Sequence, residues 1–150
     1  MELTDIRDLY RDRESFIGKE VTVGGWIRSN RDSKTFGFIV INDGTYFETL
    51  QVVYSDKLAN FAELTRLNIG SAVVVKGTIV ATPDAKQPFE MQAEEAFVEG
   101  ESTSDYPLQK KRHSFEYLRT IPHLRPRTNT FQAVFRVRSL CAYAIHKFFQ

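Results

Sequence analysis

Five segments between residues 20 and 98 have the residue pattern of β-strands, and one helical segment separates the third from the fourth. Strands are predicted over 20–28, 36–42, 47–54, 72–80 and 89–98, where apolar and polar residues alternate or β-branched residues follow one another. Asn42-Asp43-Gly44 is a hairpin signal between the second and third strands. Polar residues 29–34 predict a turn between the first two. Asp56 can cap a helix over 57–67.

This order of elements predicts a mainly β protein with a five-stranded OB-fold barrel. Other small barrels also have five strands, but the helix between the third and fourth strands favours the OB-fold. A further amphipathic helix is predicted over 4–16, with Thr4 as its cap and Gly18 just after its end. The barrel is therefore expected to follow an N-terminal helix.

The residues after the predicted barrel differ from it in charge and pattern. Residues 1–100 carry a net charge of −5 and residues 101–150 carry +6, within a total of +1. A stretch rich in Ser, Thr, Gly and Pro over 100–107 predicts a linker, and Thr128 or Asn129 can cap a last helix. We expect three parts: an OB-fold domain at 1–100, a hinge at 101–127 and the start of a second domain at 128–150.

The apolar face of the last predicted helix is too wide for the surface helix of a small protein. The residues after the barrel are too few to bury that face alone. We therefore expect the chain to stop inside its second domain. The apolar residues of this helix are Phe131, Val134, Phe135, Val137, Leu140, Cys141, Ala144, Ile145, Phe148 and Phe149.

Composition and motifs argue against several classes of protein. The 42% hydrophobic content with 12 Phe predicts a folded chain, and a single Cys cannot form a disulfide framework. His113, His123 and His146 lack zinc-ligand spacing, and no phosphate-binding, dinucleotide-binding or nucleophile-elbow motif is present. We predict no catalytic residue, metal site or cofactor site in this chain.

The sequence also predicts where the protein resides. No apolar run approaches the roughly 18 residues that cross a bilayer. The first five residues are acidic, whereas a secretory signal begins with basic residues. We expect a soluble, cytoplasmic protein with no membrane partner.

Three side chains of the predicted barrel have the chemistry to bind single-stranded nucleic acid. Phe38 is predicted to lie opposite the core residues Ile39 and Ile41, and a base stacked on its ring would gain about 1–3 kcal/mol. The amide of Gln51 both donates and accepts hydrogen bonds, as the edge of a pyrimidine requires. The carboxylate of Glu90 only accepts, which suits the two neighbouring N–H donors of guanine.

Three basic residues of the same region, Arg28, Arg31 and Lys34, can contact phosphates. The net negative charge of the barrel argues against binding of nucleic acid along its whole surface without base preference. It favours specific recognition of a few bases. A structural interpretation also remains open: Phe38 can be covered by the loop of Arg31 or by another domain. Gln51 and Glu90 can likewise be ordinary polar residues on a solvated strand face.

Many of these residues resemble the class IIb aminoacyl-tRNA synthetases. The anticodon-binding OB domain of that class resembles Gly25-Trp26-Ile27-Arg28, Arg31-Asp32-Ser33-Lys34, Phe38-Ile39, Asn42-Asp43-Gly44 and Phe89-Glu90-Met91-Gln92-Ala93. The hinge and the start of the catalytic domain in the bacterial asparaginyl branch resemble Tyr106-Pro107, Lys111-Arg112-His113-Ser114, Glu116-Tyr117-Leu118-Arg119 and His123-Leu124-Arg125-Pro126-Arg127-Thr128-Asn129. The resemblance covers essentially the whole chain.

The resemblance implies a role for each predicted site residue. Phe38 would stack on an anticodon base, Gln51 would contact the central uridine, and Glu90 would contact the guanine-type base 34. The aspartyl and asparaginyl branches share these two bases and differ at base 36, for which the sequence shows no clear reader. The implied partner is the anticodon loop of tRNA(Asn).

The resemblance also concerns the full-length enzyme. Residues 130–150 resemble the start of motif 1, through which class II synthetases form homodimers. The motif 1 proline and motifs 2 and 3, which hold ATP, Mg²⁺ and the amino acid, are not among these 150 residues. The implied full-length enzyme uses ATP to attach asparagine to tRNA, whereas this chain alone is expected to be inactive and to need no cofactor.

Three alternative functions remain open from the sequence. The first is an aspartyl-type or nondiscriminating synthetase. The second is a free-standing module that binds single-stranded nucleic acid without strong base preference. The third is a protein–protein adaptor that docks through its last helix.

Overall fold

The five predicted strands are present and close into a barrel in a computed structural model that describes residues 2–150. The order around the barrel is β1-β2-β3-β5-β4, with β3 and β5 parallel and the other neighbours antiparallel. This arrangement confirms the predicted five-stranded OB-fold. The strands are β1 (Glu20–Asp32), β2 (Phe36–Asn42), β3 (Leu50–Ser55), β4 (Ala72–Ala81) and β5 (Phe89–Gly100).

The barrel core follows from the alternation of apolar residues along each strand. Ile39 and Ile41 of β2 point inward and are buried, as predicted, while Phe38, which precedes Ile39, lies on the outer wall. In β4, the continuous β-branched run also alternates, so that every second side chain enters the core. The core residues of the five strands are Val21, Val23, Ile27, Ile39, Ile41, Leu50, Val52, Tyr54, Val73, Val75, Ile79, Phe89 and Met91.

A glycine and a buried tyrosine fix the inner packing of β2 against β3. A Cβ on Gly37 would lie 2.2 Å from Cζ of Tyr54, so only glycine leaves room for that ring. The Tyr54 hydroxyl donates to Oδ1 of Asn30 at 3.0 Å, and burial raises its pKa to about 12. Asn30 in turn donates to the carbonyl of Leu64 at 2.7 Å. This chain of bonds connects β3, β1 and the segment between β3 and β4.

Strand β1 is longer than predicted, because it pairs with two different strands, β4 and β2. Its first half pairs with β4 from Glu20 to Trp26, and its second half pairs with β2 as far as Asp32. A register shift between Ile27 and Ser29 marks the change of partner. The predicted turn at 29–34 was therefore wrong in extent: most of it is strand.

The helices of the first unit, Met1–Lys110, are shorter than predicted. The segment expected as one helix over 4–16 consists of α1 (Ile6–Arg11) and α2 (Arg13–Phe16). Thr4 does not cap α1: the N-cap position is Asp5, whose side chain makes no capping hydrogen bond, and the backbone N–H of Thr4 pairs with the carbonyl of Thr22. The expected helix 57–67 is reduced to α3 (Phe61–Leu64). Tertiary packing outweighs helix propensity in segments this short.

The second unit, Lys111–Gln150, is helical. It contains α4 (Phe115–Thr120), a 3₁₀ turn (Arg125–Arg127) and α5 (Asn129–Phe149). Thr128 caps α5 as predicted, since its side-chain oxygen accepts from the N–H of Phe131 at 3.4 Å. The large apolar side chains of α5 that are exposed are Val134, Val137, Leu140, Tyr143, Ile145, Phe148 and Phe149.

Candidate nucleic-acid interface

An open hollow of about 480 Å³ lies on the outer wall of the barrel. The strand register brings its walls together, because Arg31 of β1 lies opposite Phe38 of β2, and Val40 of β2 lies opposite Gln51 of β3. Three residues predicted from the sequence thus share one hollow. Its lining is formed by Arg31, Asp32, Ser33, Phe36, Phe38 and Gln51.

Two phenylalanines form the apolar part of the hollow. The rings of Phe36 and Phe38 meet edge to face, with their centroids 5.5 Å apart and their planes at 89°. Phe38 is half-buried, and Phe36 is 41% exposed. The guanidinium of Arg31 lies 6.0 Å from the centroid of Phe38, at the outer limit of a cation–π contact. The hollow therefore offers an aromatic face beside a cation, which suits a base with its phosphate.

Glu90 lies beside the hollow, where the parallel pairing of β3 and β5 brings it next to Gln51. The side-chain amide of Gln51 donates to Oε2 of Glu90 at 3.0 Å, and that of Gln92 donates to Oε1 at 2.8 Å. Glu90 and Gln51 are half-buried, whereas Gln92 is exposed. The acid and the amide that the sequence analysis assigned to two different bases are therefore in direct contact.

Two predicted phosphate-binding residues lie outside this group. Arg28 sits at the register shift of β1, where burial lowers the pKa of its guanidinium and the neighbouring Tyr106 acts in the opposite direction. Lys34 is exposed in the turn between β1 and β2. Neither residue lines the hollow in the part of the chain that the structure describes.

Four further residues belong to this wall and are not predicted from the sequence: Asp32, Ser33, Phe36 and Gln92. A signal existed for two of them. Phe36 and Gln92 lie two positions from Phe38 and Glu90, and residues two apart share a strand face. Asp32 and Ser33 fell in the predicted turn, where no periodicity indicates a direction.

The family resemblance implies Mg²⁺ for the full-length enzyme. Within residues 2–150, no group of three or more His, Cys, Asp or Glu side chains is arranged to hold a metal ion. In the same range, no helix is long and apolar enough to span a membrane.

Comparison with known proteins identifies the family to which this barrel belongs. The chain belongs to the tRNA_anti-codon family of OB-fold nucleic acid binding domains, whose model matches residues 21–99. That range contains all five strands except the first residue of β1 and the last residue of β5.

The individual relatives are synthetases, and their similarity confirms the resemblance seen in the sequence. The chain is 62% identical over 151 residues to asparagine–tRNA ligase from Acetivibrio thermocellus, covering 100% of this chain and 32% of the ligase. It is 63% identical over 145 residues to asparagine–tRNA ligase from Clostridium beijerinckii, covering 97% and 31%. The chain thus spans about a third of the length of the curated relatives it matches.

A solved structure supports the same fold. The asparaginyl-tRNA synthetase from Pyrococcus horikoshii complexed with asparaginyl-adenylate matches 99% of this chain and 34% of its own, with a TM-score of 0.85. Sequence identity in that comparison is 24%, so it concerns the fold alone.

Proposed function

We propose that the barrel binds the anticodon loop of tRNA(Asn) as the anticodon-recognition part of an asparaginyl-tRNA synthetase. One observation carries the proposal: in a barrel of a nucleic-acid-binding family, one outer wall combines an aromatic pair, an arginine and an acid–amide pair. Stacking on an aromatic ring, a phosphate contact and base-edge hydrogen bonds are the components of single-strand recognition.

Each side chain of the wall has a distinct proposed role. Phe38 stacks on an anticodon base, and Arg31 contacts a neighbouring phosphate. Glu90 accepts hydrogen bonds from guanine at position 34. Gln51 contacts the central uridine with its carbonyl and its second N–H, because one of its two N–H donors already serves Glu90.

The remaining roles concern the whole enzyme. We propose that residues 101–127 form the hinge and that 128–150 begin the catalytic domain, with α5 contributing to a homodimer. The whole enzyme uses ATP and Mg²⁺ to attach asparagine to tRNA.

These 150 residues bind RNA weakly and do not catalyse aminoacylation. Arg28, Lys34 and the basic second half contribute to affinity through phosphates.

The similarity to asparagine–tRNA ligases favours this proposal over an aspartyl-type synthetase or a base-tolerant module. Exchanging U for C at base 36 of the RNA distinguishes an asparaginyl-type from an aspartyl-type synthetase. Equal affinity for stem-loops with unrelated anticodons is the signature of the base-tolerant module. An adaptor protein would bind none of these RNAs.

The direct test is a titration of the 150-residue chain with anticodon stem-loops that carry G34, U35 and U36. Phe38→Ala is expected to weaken binding about 5- to 150-fold, which corresponds to the loss of one base–aromatic stack. Glu90→Gln is expected to lower the preference for G34 over A34 by about tenfold, because the amide presents a donor where guanine needs an acceptor.

A matched control is available on the same strand. Glu94 of β5 is exposed, and its carboxylate accepts from the hydroxyl of Thr78 at 2.7 Å. Glu94→Gln makes the same chemical change away from the hollow and is expected to bind like the wild type. If Phe38→Ala, Glu90→Gln and the wild type all bind the G34 stem-loop equally, the site is wrongly assigned.

A further inference from the structure

Gln92 has no role in the recognition scheme above, yet its amide makes a short hydrogen bond to Glu90. The two side chains leave the same face of β5, and Nε2 of Gln92 lies 2.8 Å from Oε1. On the other side, Nε2 of Gln51 lies 3.0 Å from Oε2. The carboxylate is thus held between two neutral amides, one on each oxygen.

This arrangement leaves the carboxylate able to accept further hydrogen bonds. Each carboxylate oxygen has two lone-pair sites, and the two amides occupy one on each. The remaining pair of sites matches the two parallel N–H donors of a guanine edge. Because glutamine is uncharged, it directs the carboxylate without neutralising its charge, which a lysine or an arginine would do.

The backbone that carries Gln92 is fixed on both sides. Gln92 lies opposite Val53 of β3 and opposite Thr78 of β4, so that it is part of two strand pairings. A Cβ on Gly77 would lie only 2.1 Å from the carbonyl oxygen of Gln92, which shows how closely β4 approaches. The side chain is exposed, but the backbone that carries it takes part in two strand pairings.

We propose that Gln92 is a positioning residue for guanine recognition: together with Gln51 it orients the Glu90 carboxylate before RNA binds. Preorganisation of this kind improves binding because the carboxylate loses less rotational freedom when the base arrives. This inference rests on the proposed function and goes beyond it, since it assigns base selectivity to a residue that does not contact the base.

The test replaces Gln92 by methionine, which has a similar length and lacks the N–H donors. Binding of the 150-residue chain is measured with stem-loops that carry guanine, inosine or adenine at position 34. Inosine keeps the ring N–H of guanine and lacks its amino group. We expect Gln92→Met to lower the affinity for G34 about 3- to 10-fold and to narrow the preference for guanine over inosine by a similar factor. Binding to the A34 stem-loop should change little.

Gln109→Met is the matched control. Nε2 of Gln109 also donates a hydrogen bond of 2.8 Å, in this case to the carbonyl of Tyr106. A second variant, Gln92→Glu, places a negative charge beside Glu90 and should lower G34 affinity further. Thermal unfolding of each variant establishes that it is folded.

The outcomes separate the inference from the proposed function. If Glu90→Gln loses guanine preference and Gln92→Met keeps the wild-type ratio of guanine to inosine, Gln92 does not position the carboxylate. An equal loss for all three RNAs also overturns the inference, since it indicates a general contact. If Glu90→Gln itself changes nothing, the proposed function fails as well.

Discussion

The edge-to-face contact between Phe36 and Phe38 gives the proposed stacking site its shape at the scale of single residues. Phe38 lies between the core residues Gly37 and Ile39 in sequence, so that its backbone is held by the barrel. Phe36, at the start of β2, supports the side of its ring. A base that stacks on Phe38 therefore meets a ring that is already oriented, which reduces the entropy cost of binding.

Replacing Phe36 by alanine tests this support. The contact of an aromatic pair is worth about 0.5–1.5 kcal/mol, so we expect Phe36→Ala to weaken stem-loop binding about 2- to 10-fold, less than Phe38→Ala. Fluorescence anisotropy with the G34 stem-loop measures the change. Phe97→Ala is the control, because Phe97 on β5 is 42% exposed, close to the 41% of Phe36, and lies outside the hollow. Equal losses in the two variants would show that Phe36 has no special role.

At the scale of elements, the loop after β2 holds the N-terminal helix in place. Oδ2 of Asp43 accepts from the backbone N–H of Ile6 at 2.7 Å, and the hydroxyl oxygen of Thr45 accepts from the N–H of Arg7 at 3.1 Å. These N–H groups belong to the first turn of α1, which has no acceptors of its own for them. Ile6 and Leu9 are then buried against the barrel core.

We expect Asp43→Ala to destabilise the chain by about 1–2 kcal/mol, the cost of losing a helix cap. Oδ1 of Asp43 also accepts from the N–H of Thr45, so the loop loses a second bond. Chemical denaturation measures the free energy of unfolding. Asp56→Ala removes an exposed carboxylate and should have a much smaller effect. Equal losses of unfolding free energy in Asp43→Ala and Asp56→Ala would show that Asp43 does not hold α1 in place.

The same element shows what sequence could and could not predict. The hairpin signal Asn42-Asp43-Gly44 predicts the turn, but the contacts of Asp43 with Ile6 and of Thr45 with Arg7 join positions 37 and 38 apart in sequence. Local patterns do not encode such pairings, so the sequence alone predicts Thr4 as the cap and one continuous helix. The strands were predicted well because alternation over a strand is itself the signal of a buried face.

In the candidate site too, the positions that follow from local alternation could be predicted, and the contacts between distant segments could not. Phe38 could be placed on the outer wall from its neighbours alone, since Ile39 and Ile41 had to face the core. The contact of Glu90 with Gln51 depends on the parallel pairing of β3 with β5, which brings together residues 39 apart in sequence. The amides that hold Glu90 could therefore not be predicted from periodicity.

At the scale of the whole molecule, charge and fold together favour focused recognition. The first 100 residues carry −5, which disfavours a general coat of nucleic acid, and the last 50 carry +6. In such a protein, base-edge contacts on one wall supply selectivity, and phosphate contacts elsewhere supply affinity. Our main proposal is that RNA binds on the wall formed by β1, β2, β3 and β5.

Mapping the RNA on the chain by NMR tests that claim most directly. The G34-U35-U36 stem-loop is added to the isotope-labelled 150-residue chain, and the shifts of the backbone amide signals are followed. We expect the largest changes at Phe38, Gln51 and Glu90, and we expect smaller changes with an A34 stem-loop. Largest changes on α5, with the signals of the barrel wall unmoved, would contradict it.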